Sequence, residues 1–293
     1  MEFFLLNDKA DYNVNYRSGL MRELDSRELK FKNIGLFDSA FSFLYYIISL
    51  VLLDRHFISS NIKSNIVFML FFWRKGVIIV NGMGRKRDSR LFRFCINFLF
   101  IMNFRKKIAF QNYADYRYFT FFSRRKYYWV PGSGGNTRSL GKNENIVIVS
   151  RDNKLPLIAN SIDSAFSLIE GKSQVVLVGC SKTIVRDLFH DKKAIGVGFL
   201  PQSEIFGSGY RFFQPSGYGE GIPHTLVDAL CSGMQVYIYK IDYIKFGLHR
   251  LGFKYSNIDG RLLKLIYGDK QANSLREKSV SLKYLELVDG FKK

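Results

Sequence analysis

The stretch from Gln214 to Tyr239 carries the residues whose types and spacing could do chemistry. Its glycine-rich start leads into a predicted helix, and a predicted strand follows at its end. Pro223 suits the first turn of such a helix, and Gly233 suits its C-terminal stop. The free N–H groups and the positive dipole end of this helix predict an anion site beside the glycine-rich loop.

Two carboxylates flank the start of this helix, Glu220 in the loop and Asp228 further along. A carboxylate beside an anion site does not bind phosphate, so it is better suited to the hydroxyl groups of a sugar or ribose. The pattern alone leaves a second interpretation equally open. In that interpretation Glu220 only pairs with the helix dipole, and Asp228 is a solvated helix residue.

A basic pair, Arg151 and Lys154, follows the predicted strand from Asn145 to Val149. The carboxyl end of a parallel strand is where a doubly wound sheet binds phosphate. Taken alone, the pair is explained as well by a solvated turn. Of the four histidines only His224 lies in a candidate site, where it could equally be a surface residue. The others lack metal-ligand spacing, so the sequence predicts no bound metal.

Strands and helices alternate through both halves of the chain, which predicts parallel, doubly wound sheets. The segment from Trp129 to Gly135 is rich in glycine and reads as a linker. We therefore predict two domains, residues 1–131 and 132–293. A helix over Ser39–Leu53 is apolar all round, so it must be buried or lie against something apolar. The end of the chain, from about Leu262, is predicted to be a final helix.

The formal charge of +19 and the isoelectric point near 9.8 call for an anionic partner. The basic excess is concentrated in the N-terminal half. The longest apolar run, Ala40 to Leu53, has 14 residues, short of the roughly 20 that span a bilayer. The sequence therefore predicts no transmembrane helix.

Aromatic residues with basic flanks, from Leu91 to Phe104, favour a helix that lies in a membrane interface. An ordinary core helix with solvated basic ends is the alternative. Nucleic acid is a third partner class, but no known nucleic-acid-binding pattern supports it. The residues predicted to contact anionic lipid are Arg85, Lys86, Arg87, Arg105, Lys106 and Lys107.

The central stretch resembles the donor-site signature of family 4 retaining glycosyltransferases with the GT-B fold. That signature is Glu-Gly-x-Pro-x-x-Leu-x-Glu-Ala-Leu/Met, followed by Gly-x-x-Val. The signature differs here at its second Glu, where Asp228 keeps the charge with one methylene less reach. The matching residues are Glu220, Gly221, Pro223, Leu226, Ala229, Leu230, Gly233 and Val236.

Three blocks of the N-terminal half are similar to blocks of bacterial surface-polysaccharide glycosyltransferases. They cover residues 60–65, 77–84 and 108–119. Ser60 and Ser64 stand where that family has His and Pro. The matching residues are Lys63, Gly82, Gly84, Phe110, Gln111, Asn112, Asp115 and Phe119.

The resemblance implies an α/β protein of the GT-B type, with two Rossmann-like doubly wound parallel-sheet domains facing a cleft. It also implies a metal-independent transferase with no cofactor, in which Arg151 and Lys154 grip the donor diphosphate. Glu220 would hold the donor sugar, and Asp228 the ribose. The other donor-binding residues would be Gly219, Gly221, Ile222, Pro223, His224 and Thr225. The acceptor side would include Lys63, Gly82, Gly84 and Asn112.

The implied donor is a nucleotide-diphosphate sugar, with UDP as the expected nucleotide. The implied acceptor is a lipid-diphosphate-linked glycan of O-antigen or capsule biosynthesis. The expected location is the cytoplasm, peripheral on the inner face of the cell membrane. Two alternatives remain open: a non-catalytic relative that serves as a binding or assembly subunit, and a basic nucleic-acid-binding protein.

Overall fold

The computed structural model describes residues 2–83, 89–121, 127–217 and 221–288 of the chain. The chain forms two compact units. The first comprises Met1–Gly134, Gly219–Ile222 and Glu277–Lys293, and the second comprises Gly135–Tyr218 and Pro223–Arg276. Along the chain, the first boundary between the two units lies between Gly134 and Gly135. The segment from Glu277 groups with the first unit, whereas the sequence prediction placed it in the second domain.

The first unit is built on a six-stranded sheet in which every described pair of neighbours is parallel. The strand order is β2-β1-β3-β4-β5-β6. The strands are β1 (Glu2–Asn7), β2 (Lys30–Gly35), β3 (His56–Ser60), β4 (Gly76–Val80), β5 (Lys106–Phe110) and β6 (Tyr127–Trp129). The helices are α1 (Ala10–Tyr16), α2 (Ser18–Ser26), α3 (Ala40–Leu52), α4 (Ile62–Leu70), α5 (Arg90–Met102) and α6 (Tyr113–Thr120).

Both faces of this sheet are covered, which is why consecutive residues of a strand are buried. Phe3 and Phe4 of β1 point to opposite faces, and both are almost completely buried. One face packs against α3 to α6, in a core that includes Phe4 and Tyr46. The other face packs against α2, in a core that includes Phe3 and Leu20.

The second unit has a seven-stranded sheet with the order β12-β13-β11-β10-β7-β8-β9. Strands β7 to β11 are parallel, and β13 runs antiparallel to both of its neighbours. The strands are β7 (Ile146–Val149), β8 (Val175–Val178), β9 (Ala194–Gly198), β10 (Arg211–Gln214), β11 (Gln235–Tyr239), β12 (Lys254–Asn257) and β13 (Leu262–Ile266). The helices are α7 (Leu155–Phe166), α8 (Lys182–Leu188), α9 (His224–Cys231), α10 (Lys240–Lys245), a 3₁₀ turn (Leu248–Leu251) and α11 (Asp269–Leu275).

The prediction of one final helix from Leu262 is wrong, because that segment begins with the strand β13. Leu262 and Leu263 pair with Tyr239 and Ile238 of β11 and are buried. A leucine-rich run suits a helix or a buried strand, and length and distant partners decide between them.

The last helix of the described chain, α12 (Glu277–Leu285), packs on the first unit against α2. The Glu277 carboxylate pairs with Arg22 and accepts a 2.7 Å hydrogen bond from Ser18 Oγ. Tyr284 is 1% exposed, and its hydroxyl donates to the Gly132 carbonyl across 2.6 Å. Burial of these contacts explains why the C-terminal segment belongs to the first unit.

Candidate functional site

The strand order of the second unit reverses direction between β7 and β10, which are hydrogen-bonded neighbours. From β7 the chain moves to β8 on one side, and from β10 it moves to β11 on the other. The loops after such a pair diverge and leave a crevice at the carboxyl ends of the strands, where open α/β sheets bind ligands. The two stretches predicted to bind the donor follow these two strands.

The loop after β7 carries the predicted phosphate-binding pair. Arg151 is exposed, and Lys154 is half-buried at the residue that precedes α7. The Arg151 carbonyl accepts hydrogen bonds from the Lys154 and Leu155 N–H groups, both at 2.9 Å. These bonds form the turn that leads from the strand into the helix, so both cations stand at its start.

The helix α9 starts at His224, with Pro223 as its N-cap residue rather than in its first turn. His224 and Thr225 are half-buried at the helix start. The predicted stop is confirmed, because Gly233 follows the C-cap with a φ of 76°, in the left-handed region that favours glycine. The apolar residues Leu226, Val227, Ala229 and Leu230 of this helix are at most 1% exposed.

Asp228 has contacts that the sequence did not predict. Its Oδ1 accepts the Asn136 N–H across 2.8 Å, and its Oδ2 accepts the Arg138 Nε–H across 3.1 Å. Arg138 Nη2 lies 3.0 Å from the same oxygen. Both side chains are largely buried. Asp228 therefore holds segment 136–138 in place, and its contact with a ribose stays a prediction.

A second carboxyl near this crevice was missed. Asp242 of α10 is 4% exposed, and burial raises the pKa of its carboxyl group. A hydrogen bond from Ser216, which follows β10, opposes that shift. The available signal was position, because Asp242 comes three residues after the predicted strand ends.

Within the first unit, Gly221 approaches the backbone of Asn81. A Cβ added at Gly221 would lie 2.1 Å from the Asn81 carbonyl oxygen, so no larger residue fits there. Ile222 beside it is 6% exposed. The predicted residues Gly84, Arg85, Lys86, Arg87, Gly219 and Glu220 lie outside the described residues.

The predicted acceptor residues of the first unit occupy separate positions. Lys63 is exposed on α4, with its Nζ 5.3 Å from the centre of the Phe37 ring. Asn112 is buried as the N-cap of α6, where its Oδ1 accepts the Ala114 N–H. Gly82 lines a cavity of about 230 Å³ at the carboxyl ends of β1, β3 and β4, whereas the described Asn112 does not line it.

Asp8 lines the same cavity and was also missed. Burial raises the pKa of its carboxyl group, while the Ser64 N–H, donated to Oδ1 across 2.9 Å, opposes the shift. The signal in the sequence was again position, because Asp8 closely follows the apolar run from Phe3 to Leu6. A carboxylate held in a polar cavity can accept hydrogen bonds from hydroxyl groups.

The prediction that Lys106 contacts lipid is wrong. Its side chain is 1% exposed and lies over the Phe68 ring, with Nζ 4.6 Å from the ring centre. Nζ donates to the Phe71 carbonyl and to Asn103 Oδ1, at 2.8 and 2.6 Å. Burial lowers the pKa of Lys106 to about 7. Because alternate residues of a strand share a face, Lys106 lies on the same face of β5 as Ile108 and Phe110, and that face packs against α3 to α6.

The cations on either side of Lys106 in the sequence, Arg105 and Lys107, are less deeply buried. Arg105 donates from Nη1 to the Trp73 carbonyl across 3.1 Å at the surface. Lys107 is half-buried on the other face of β5. Their contact with lipid stays a prediction.

Two helices on one face of the first sheet expose matching apolar stripes. Each has a buried stripe towards the sheet, with Tyr46 and Leu50 in α3 and Ile96 and Phe100 in α5. Their outer sides are apolar as well. The exposed residues are Phe41, Leu44, Ile48, Val51 and Leu52 in α3, and Leu91, Phe94, Phe98, Ile101 and Met102 in α5. The outer side of α3 was not assigned from the sequence.

In the described ranges, no helix is long and apolar enough to cross a bilayer. The same ranges contain no group of three or more His, Cys, Asp or Glu residues that could hold a metal ion.

Comparison with solved structures places the fold. The chain resembles Anabaena HepE solved with UDP, at a TM-score of 0.56 and 13% identity over 80% of each chain. The chain also resembles HepE solved with UDP-glucose, at a TM-score of 0.53 and 12% identity over 81% of this chain and 80% of that one. The chain has the GT-B fold.

A Listeria monocytogenes protein assigned as a UDP-N-acetylglucosamine 2-epimerase is similar over 97% of this chain and 94% of its own, at a TM-score of 0.57 and 11% identity. No protein-family model and no curated protein matches the chain. At these identities the likeness concerns the fold, and the two predicted Rossmann-like doubly wound units are confirmed.

Proposed function

We propose that the protein is a retaining glycosyltransferase that uses a nucleotide-diphosphate sugar, with UDP as the nucleotide. The observation that supports this most is the topology of the second unit. Its switch point lies between β7 and β10, and both predicted donor-binding loops leave from these strands. HepE, which has a similar fold, was solved with UDP and with UDP-glucose.

The reaction breaks the bond between the anomeric carbon and the diphosphate oxygen and forms one to an acceptor hydroxyl. The hydroxyl proton passes to the leaving diphosphate. Negative charge develops on that diphosphate, so Arg151, Lys154 and the N–H groups at the start of α9 stabilise it. Removing one positioned donor group of this kind typically costs about 3–4 kcal/mol of the activation free energy.

Two carboxylates make the remaining contacts with the donor. Glu220 holds hydroxyl groups of the transferred sugar, and Asp228 reaches the ribose while it also holds Arg138. No residue of the chain has to act as a nucleophile, because the leaving phosphate assists attack on the same face of the sugar.

We further propose that the acceptor is a lipid-diphosphate-linked glycan of surface-polysaccharide biosynthesis, met at the cytoplasmic face of the inner membrane. The exposed stripes of α3 and α5 support a peripheral contact with lipid, because apolar side chains bordered by cations suit an anionic interface. The cations close to these stripes along the chain include Arg55, Arg74, Lys75, Arg90, Arg93 and Arg105.

Nucleotide-dependent thermal stabilisation tests the donor site. Melting temperatures are measured with UDP, GDP and their sugars for the wild type, for Arg151→Ala and for Glu220→Ala. We expect one nucleotide to raise the melting temperature of the wild type and to have less effect on Arg151→Ala. Glu220→Ala should keep the response to UDP but lose the extra response to the UDP-sugar.

Lys172→Ala is the matched control, because Lys172 is an exposed cation of the second unit at the opposite end of the sheet. If no nucleotide changes the melting temperature, the donor proposal is wrong. Binding of a nucleotide sugar without turnover would instead indicate a non-catalytic subunit.

A further inference from the structure

The first unit has its own switch point, between β1 and β3. From β1 the chain moves to β2 on one side, and from β3 it moves to β4 on the other. The cavity of about 230 Å³ lies there, lined by Asp8 after β1, Asn61 after β3 and Asn81 after β4. Its position is the one at which an open parallel sheet binds a ligand.

One side of the cavity is a chain of oriented amides. Arg17 Nη2 donates to Asn81 Oδ1, Asn81 Nδ2 to Asn61 Oδ1, and Asn61 Nδ2 to Asn7 Oδ1, at 2.5, 2.5 and 2.6 Å. A guanidinium can only donate, so it fixes which end of the Asn81 amide faces it and, in turn, the orientation of each following amide. Each amide nitrogen has two hydrogens, so Asn61 and Asn81 can each donate once more.

Asn65 adds an acceptor that lacks a partner. The residue lines the cavity and is 4% exposed. Its Nδ2 donates to the Ile79 carbonyl across 2.8 Å, but its Oδ1 has no hydrogen-bond partner among the described residues. A buried polar atom left in this way destabilises the fold, because its lost hydrogen bonds to water are not replaced. A ligand that donates a hydrogen bond to Oδ1 would remove that cost.

The backbone of Asn61 is strained. It has a φ of 68° and a ψ of 154°, a combination that residues other than glycine rarely adopt. Asn61 is the N-cap of α4, yet its side chain makes no capping hydrogen bond. The side chain joins the amide chain of the cavity instead. Strain kept at such a position indicates a functional role for the amide.

The side chains that line the cavity determine which class of ligand it can bind. Asp8 brings a carboxylate, so the cavity disfavours phosphate and other anions. The amides and the carboxylate supply donors and acceptors for several hydroxyl groups, whereas Met69, Ile96 and Phe100 form an apolar wall. A pyranose ring has hydroxyl groups at its edge and apolar C–H groups on its face, and its size suits a small cavity.

We infer that this cavity binds one neutral sugar residue of the acceptor glycan. The inference rests on the proposed glycosyltransferase function, and it assigns recognition of the acceptor to its sugar rather than to its diphosphate. Asp8 and Asn65 Oδ1 accept hydrogen bonds from the sugar hydroxyls. Asn61 and Asn81 donate to them, and the ring face lies against Phe100.

Saturation-transfer NMR on the full chain tests the site. The probes are the methyl glycosides of glucose, galactose and N-acetylglucosamine, with methyl glucuronide as the anionic comparison. We expect signal from at least one neutral glycoside and at least fivefold less from the glucuronide. Asn61→Gly and Asn65→Leu should each reduce the signal at least fivefold. Glycine tolerates the backbone of residue 61, and leucine removes the orphaned oxygen at a similar size.

Asn273→Leu, the same exchange at an exposed position of α11, is the control and should keep the signal. Thermal shifts with UDP are recorded in parallel. A UDP shift without any glycoside signal overturns the sugar site and leaves the donor proposal standing. Signal from a neutral glycoside without a UDP shift supports the sugar site and contradicts the donor proposal. Signal that persists in both variants overturns the assignment to this cavity.

Discussion

The guanidinium of Arg17 donates to the side-chain oxygen of Asn81 across 2.5 Å. Arg17 is 3% exposed, and no carboxylate among the described residues pairs with it. Its other donors reach Ser60 Oγ across 3.2 Å and Ser133 Oγ, and its Cζ lies 5.5 Å from the Tyr284 ring centre. Burial lowers the pKa of Arg17. Neutral oxygens therefore solvate a buried cation that orients the amides of the cavity.

Replacing Arg17 should destabilise the first unit. Arg17→Met leaves the buried Ser60 oxygen and the half-buried oxygens of Asn81 and Ser133 without this donor, so we expect the free energy of unfolding to fall by about 3 kcal/mol. Urea denaturation measures this. Arg22→Met, in the helix α2 that Arg17 precedes, is the control, because the Arg22 side chain is 65% exposed and its ion pair is worth at most about 1 kcal/mol. Equal losses in the two variants would contradict the role given to Arg17.

Lys106 should make stability depend on pH. The pKa of Lys106 is lowered from 10.5 to about 7 by burial, so between these values the unfolded chain binds more protons than the folded one. The free energy of unfolding therefore rises with pH in this window, by up to about 1.4 kcal/mol per pH unit. The advantage of Lys106→Met over the wild type should be largest at pH 7 and below, and should shrink towards pH 10.

Urea unfolding at pH 7, 8 and 9 measures that difference. Lys107→Met changes the adjacent residue on the other face of β5, and we expect it to follow the pH profile of the wild type. If Lys106→Met ran parallel to the wild type across the three pH values, burial of a titrating lysine would not be the cause.

The contact of Asp228 with Arg138 can be separated from a contact with a nucleotide. A double-mutant cycle of Asp228→Asn and Arg138→Met, without nucleotide, should give a coupling free energy of about 1–3 kcal/mol, because the pair is largely buried. Chemical denaturation measures it. Additive effects together with weaker UDP binding in Asp228→Asn would favour the ribose contact over the structural one.

The outer stripe of α5 should contribute to membrane binding. Phe94→Ser with Phe98→Ser removes two exposed aromatic side chains, each worth about 1.5–3 kcal/mol when buried. We expect partitioning onto vesicles of anionic phospholipid to fall at least tenfold in a sedimentation assay. Leu157→Ser, at an exposed apolar position of α7, should leave it unchanged. Equal partitioning of all three proteins would count against this surface.

Neutralising Arg85, Lys86 and Arg87 examines the electrostatic part of the same proposal. We expect weaker pelleting with anionic vesicles and a smaller dependence on salt, because cations are attracted to anionic lipid by a surface potential that salt screens. Pelleting that stays constant across salt concentrations would argue against a role for these cations.

Local patterns in the sequence were sufficient for most elements of the fold. The helix and the strand predicted within Gln214–Tyr239 are α9 and β11, and the helix predicted at Ser39–Leu53 is α3. Hydrophobic period and turn residues depend on near neighbours in the chain, so they can be read without the fold. The alternation of elements also predicted two doubly wound units, because helical crossovers between parallel strands leave that pattern.

Only the tertiary structure decided which distant residues meet. In the sequence Lys106 resembles any surface cation. In the structure its side chain lies over the Phe68 ring and donates a hydrogen bond to Asn103. Asn7, Asn61 and Asn81 are unremarkable in the sequence, and the order of β1, β3 and β4 brings their amides into one chain. Strand order is set by packing between segments far apart in sequence, and no local pattern records it. For that reason the sequence predicted the two loops that we propose bind the donor, whereas the cavity that we propose binds a sugar became visible only in the folded sheet.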